Sequence, residues 1–111
     1  MTNQQPVEDE RLVGAVDLGS NSFHVTIAKL TASGLQIVMR DRERVRLASG
    51  LNQSNELDED AIQRGLDALK RFNARLSTIA ATDIRVVGTH TLREAANANT
   101  FIDRAADCFR A

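Results

Sequence analysis

Tryptophan and tyrosine are absent from this chain of 111 residues, and phenylalanine occurs only four times. Recognition of nucleic-acid bases by stacking on aromatic platforms therefore has little to work with, and the phenylalanines read as core residues. A single cysteine, Cys108, excludes an internal disulfide and any cysteine-cluster metal site, which suits a reducing cytoplasm. On the apolar side of a helix, it reads as a small buried hydrophobe. The one proline, Pro6, lies in a polar and acidic opening segment, Met1 to Glu10, with neither the basic start nor the apolar run of a signal peptide. No stretch approaches the length of a membrane span, so a soluble protein is expected. Neither sign of charge dominates: 14 lysines and arginines face 15 acidic residues, for a net charge of −1. The basic residues are dispersed along the chain, which predicts no long-range field toward nucleic acid or an anionic membrane. An anionic ligand has to be held locally.

With 42% hydrophobic residues the chain can form a real core. Residues 1–11 read as a flexible tail and residues 12–111 as one small, incomplete domain. The most informative stretch is Asp17-Leu18-Gly19-Ser20-Asn21-Ser22-Phe23, set between an apolar run over 12–16 and an alternating run in which Phe23, Val25 and Ile27 face His24, Thr26 and Ala28. That pattern predicts two strands joined by a tight turn. Successive backbone N–H groups at such a turn can converge on an anion, and Gly19 removes a Cβ from its approach. Ser20, Asn21 and Ser22 add side-chain donors. Asp17 has the wrong sign for phosphate but the right sign for a hydrated divalent cation bridging to it.

Thr31-Ala32-Ser33-Gly34 predicts a second hairpin turn. A third strand follows over about 35–47, in which Leu35, Ile37 and Met39 share one side and Arg40, Arg42, Arg44 and Arg46 fall at even positions. If no bulge intervenes, all four arginines point one way. They form either a solvated face partly paired with Asp41 and Glu43, or a wall lining a phosphate path. Residues 48–57 read as a surface connector. From Asp58 to about Ala80, Ile62, Leu66, Leu69, Phe72, Leu76 and Ile79 recur at helical spacing, with Asp58 as N-cap and Leu57 stapled on Ile62. Residues 83–88 predict a short strand parallel to an earlier one, because a helix crosses over to reach it. Thr89 and Thr91 can cap a helix carrying Arg93. A last helix places Phe101, Ile102, Ala105, Cys108 and Phe109 on one side. Neither His24 nor His90 has a second ligand at metal-binding spacing.

Strand, phosphate-type turn, strand, strand, helix, strand and two helices form the order of a ribonuclease-H-like α/β half-domain, the type found in actin, sugar kinases and acetate kinase. Three segments carry a closer likeness: residues 17–23, Val45-Arg46-Leu47-Ala48-Ser49-Gly50-Leu51, and Thr89-His90-Thr91-Leu92-Arg93-Glu94-Ala95. Through them the chain resembles the exopolyphosphatase and guanosine pentaphosphate phosphohydrolase family over nearly all of residues 12–111.

The resemblance implies hydrolysis of the terminal phosphoanhydride of polyphosphate, or of the 5′ γ-phosphate of guanosine pentaphosphate, in a cleft between two domains. It implies Mg2+ as cofactor, with Asp17 positioning the metal or its water. It also implies a phosphate loop from Gly19 to Ser22, and Arg93 neutralising phosphate oxygens, with Arg46 a further candidate on the phosphate path. A homodimer is implied for a full-length relative, while nucleic acid and membrane are not expected partners. The water-activating glutamate and a second glycine-rich loop are expected beyond Ala111, so the 111 residues alone are expected to be inactive. Two alternatives stay open on the residues themselves. One is an ATP-dependent phosphotransferase of the sugar or acetate kinase type, and the other a non-catalytic module that binds a phosphate ligand.

Overall fold

The computed structural model describes residues 11–88 and 90–109, without the side chains of His90, Thr91 and Cys108. The tail read over Met1 to Glu10, the cap assigned to Thr89, and the side-chain readings of His90, Thr91 and Cys108 lie outside the described residues. Four strands form one sheet: β1 (Arg11–Leu18), β2 (Ser22–Thr31), β3 (Gly34–Arg44) and β4 (Ile84–Gly88), in the order β3-β2-β1-β4. β1 pairs antiparallel with β2 and parallel with β4, so the sheet is mixed. Helices α1 (Glu59–Arg75), α2 (His90–Glu94) and α3 (Ala98–Cys108) complete the expected element order, with β1 starting one residue earlier than predicted.

Alternation along the strands decides which side is core. Val16 and Leu18 of β1 and Phe23, Val25 and Ile27 of β2 are buried against the apolar stripe of α1, where Ile62, Leu66, Leu69 and Phe72 are buried. Phe101 of α3 closes that layer, edge-on to Phe23 with ring centroids 6.5 Å apart. Gly65 makes the closure possible: a Cβ there would stand 2.7 Å from the Phe101 ring. All four phenylalanines are buried, as the composition predicts. Asp58 caps α1 by accepting the Ala61 N–H on Oδ1 at 2.7 Å. Helix α1 ends at Arg75 instead of near Ala80. Leu76 and Ile79 stay buried in the turns that follow, which is why their spacing reads as helix.

Strand β3 departs from its simple reading at two places. Ile27 pairs with Met39 while Ala28 pairs with Ile37, leaving Val38 as a bulge. The bulge flips the phase, so Leu35 and Ile37 face away from the helices whereas Met39, Asp41 and Glu43 face toward them. Arg40, Arg42 and Arg44 lie beyond the bulge and keep one phase. Arg46 does not join them: the strand stops at Arg44, and Arg46 takes the left-handed conformation (φ 56°, ψ 49°) ahead of a 3-10 turn, Leu47–Gly50. The predicted connector is also more ordered than a surface loop. Asn97 exchanges two hydrogen bonds with the Leu57 backbone at 2.8 and 3.0 Å, and the Asn55 side chain donates to the Glu94 carbonyl. These bonds tie the segment before α1 to the junction of α2 and α3.

Candidate phosphate-binding site

The register brings the three motif segments to one end of the sheet. Leu18 and Gly88, the last residues of β1 and β4, are paired, and β2 starts where β3 ends, with Ser22 opposite Arg44. Ligands of open α/β sheets sit at the carboxyl ends of parallel strands, since the loops there are free to vary.

The turn at residues 19–21 is shaped by backbone bonds. The Gly19 N–H donates to the Ser22 carbonyl at 3.1 Å, and a Cβ on Gly19 would lie 2.5 Å from that same oxygen. Glycine is therefore required by the turn's own closure, a reason different from the room for an approaching anion read in the sequence. The Gly19 N–H is used within the turn. Asn21 accepts from the N–H groups of Val45 and Arg46 at 3.0 and 2.8 Å, and Ser20 accepts from Ala48 at 3.0 Å. A trans peptide holds its C=O and N–H in opposite directions, so these bonds point the N–H groups of Asn21 and Ser22 away from residues 45–48.

The segment at residues 45–48 is itself clamped. Arg64, on α1, donates from Nε to the Val45 carbonyl at 2.8 Å and from Nη2 to the Arg46 carbonyl at 3.1 Å, while Ser49 Oγ donates to the same Arg46 oxygen at 2.8 Å. The sequence placed Arg64 on the polar face of the helix with no role. A signal was present in its position one turn after the buried Ala61, but its carbonyl partners lie 18 and 19 residues away. Arg46 thus reaches the loop through its backbone, and its side chain is exposed.

Arg93 is exposed on α2 and donates from Nη1 to the Gly88 carbonyl at 3.1 Å, so its guanidinium folds back over the end of β4. That bond replaces the ion pair with Glu94 or Asp103 that a bland surface arginine would make. A groove lined by Leu18, Gly88, Leu92 and Arg93 opens beside it, and α2 packs on the 3-10 turn that follows Arg46. Asp17 is exposed one residue before the end of β1, in register with His24 and Val87, beside a shallow groove shared with Thr26 and Arg40. No cluster of three or more potential metal ligands exists among the described residues. One carboxylate without an ion-pair partner among the described residues is the donor set of a hard cation held largely by water and phosphate oxygens, not of a metal caged by protein.

Strand order, the crossover through α1 and a polar turn at the carboxyl end of β1 define an actin-like half-domain of the kind built to handle phosphate. The chain belongs to the Ppx/GppA phosphatase family, whose family model matches residues 26–110. Two similar proteins are the guanosine-5'-triphosphate,3'-diphosphate pyrophosphatases of Photobacterium profundum, 48% identical over 96 residues, and of Vibrio cholerae, 48% identical over 94. The matches take in 86% and 85% of this chain and 19% of each relative, so the chain spans about a fifth of their length. Among solved structures, the Aquifex aeolicus member of the Ppx/GppA family superposes with a TM-score of 0.82 at 25% identity, over 88% of this chain and 32% of that one. An exopolyphosphatase from Cytophaga hutchinsonii gives 0.81 at 26% identity, over 88% and 31%.

Proposed function

We propose that this chain forms the substrate-binding half of a site that hydrolyses the terminal phosphoanhydride of guanosine pentaphosphate or inorganic polyphosphate. The observation that carries the reading is the convergence of residues 19–22 and 45–48 with Gly88 and Arg93 at the carboxyl ends of β1 and β4. Phosphoryl transfer to water demands compensation of charge on the phosphate oxygens and alignment of the reacting groups, more than a covalent nucleophile. The N–H groups of Asn21 and Ser22 and the hydroxyls of Ser20 and Ser22 receive the terminal phosphate, and Arg93 lies across it. Asp17 is the residue that would hold Mg2+, which would supply compensation of phosphate charge. The carboxylate that activates water comes from sequence beyond Ala111. Membership of a phosphatase family favours transfer to water over the kinase reading, and the names of the relatives favour these two substrates. No helix among the described residues is long and apolar enough to cross a membrane.

The 111-residue chain is expected to bind tripolyphosphate saturably in the presence of Mg2+ in a calorimetric titration, and Arg93→Ala to weaken binding about tenfold or more, the scale of one charge-assisted phosphate contact. A flat titration with the unaltered chain would overturn the reading. The same chain should release no orthophosphate. Turnover that Asp17→Asn abolishes would contradict the assignment of the base to a segment beyond Ala111.

A further inference from the structure

The strand Arg40-Asp41-Arg42-Glu43-Arg44 alternates charge along the sequence, yet the fold sorts it by side. Asp41 and Glu43 face the helix layer. There Asp41 meets Arg75 at 2.7 Å, and Glu43 accepts Nε of Arg71 on both oxygens at 2.7 and 2.9 Å, with Arg71 Nη2 as a further donor. The acids are thereby consumed by arginines of α1. Arg40, Arg42 and Arg44 stand on the opposite, open face, and none of them pairs with a carboxylate among the described residues. Opposite them in register are Thr26, His24 and Ser22. A chain with a net charge of −1 thus carries a row of guanidinium groups without ion-pair partners among the described residues, spaced about 6.6 Å apart along the strand, that ends beside the turn of residues 19–22, with the Asp17 carboxylate sharing a groove with Arg40 on the same face.

We infer that Arg40, Arg42 and Arg44 are a binding track for a linear inorganic phosphate chain, receiving the phosphates that trail the one held at the turn. The inference rests on the proposed function, because it takes the terminal phosphate to sit at residues 19–22. Repeating anionic charge matches a repeating row of bidentate donors. Single-stranded nucleic acid fits less well, since it is gripped by aromatic stacking as well as charge and every phenylalanine of this protein is buried on the other side of the sheet or beneath the helices.

The test compares binding of long-chain polyphosphate and of tripolyphosphate to the 111-residue chain, the double variant Arg40→Ala/Arg42→Ala, and Lys70→Ala as a control that removes charge from the helix layer. Circular dichroism checks that each is folded. In the double variant, long-chain affinity should fall by at least about tenfold and its logarithmic salt dependence should lose about one unit per arginine. Tripolyphosphate affinity should stay unchanged, and Lys70→Ala should match the unaltered chain on both ligands. Undiminished long-chain binding in the double variant overturns the track and leaves the proposed function standing. Loss of tripolyphosphate binding in Arg93→Ala tests that function separately. Equal displacement of polyphosphate by single-stranded DNA of matched charge would overturn the assignment to an inorganic chain.

Discussion

The two faces of the sheet are built on different rules. On the helix-covered face, the strand side chains packed beneath α1 are apolar or, at Asp41 and Glu43, paired with an arginine of α1. On the open face, Asp17, His24 and the three arginines of β3 are exposed and set in register without ion-pair partners among the described residues. The same strands supply both faces, so the contrast comes from pleating and from the single bulge at Val38. Apolar packing and exposed charge are thereby separated across one sheet thickness, and substitutions on the two sides should report on different properties.

The largest stability effect is expected at Phe101. Replacing it with alanine removes the edge contact with Phe23 and opens a cavity over Gly65, with an expected loss of about 3–5 kcal/mol in urea unfolding. A loss near zero would mean that α3 is not part of the cooperative unit. Gly65→Ala forces a Cβ to within 2.7 Å of the same ring and should cost about 1–3 kcal/mol, the range of an overpacked core. Next comes Arg64→Ala, which frees the carbonyls of Val45 and Arg46. Its expected signature is weaker tripolyphosphate binding with a modest stability loss of about 1–2 kcal/mol, because the segment it clamps is what orients the turn. On the open face, Arg42→Ser should change stability by less than about 0.5 kcal/mol, and a larger destabilisation would break the division between the faces.

Smallest of all is a pH effect between α1 and α3. Glu59 lies 2.9 Å from Arg104, and the hydrogen bond from that guanidinium holds the Glu59 carboxyl below its ordinary value of 4.5. A depressed carboxyl contributes stability above its unfolded value and loses it as pH falls through the folded one. Arg104→Ala should therefore lower the melting temperature slightly above about pH 4.5, with the difference from the unaltered chain vanishing as pH falls through the acid limb.

Much of this division was legible in the sequence. The spacing from Ile62 to Phe72 marks the covered helix, Asp58 its cap, Thr31 to Gly34 the hairpin turn, and the crossover logic the parallel pairing of β4. Local periodicity and turn chemistry suffice for each. The bulge at Val38, the left-handed backbone of Arg46 and the clamp from Arg64 were not legible, because each follows from hydrogen bonds between segments distant in sequence. The fate of Asp41 and Glu43 illustrates the limit. Sequence neighbours suggested that they would screen the adjacent arginines, but strand alternation sends them to the opposite face, where α1 supplies their partners. Of the site itself, the turn and Arg93 were legible as motifs, while the backbone bonds that fix their relation were not.

The proposed function requires residues 19–22 and 45–48, together with Gly88 and Arg93, to form one anion-binding end of the sheet. Amide chemical-shift mapping of the 111-residue chain during titration with tripolyphosphate and Mg2+ tests it directly. Concerted, saturable shifts are expected at Ser20, Asn21, Ser22 and Arg46 and at the Arg93 side-chain Nε, with no change at the opposite end around Thr31 and Gly34. Shifts confined to other surfaces, or a spectrum unmoved by the ligand, would contradict it.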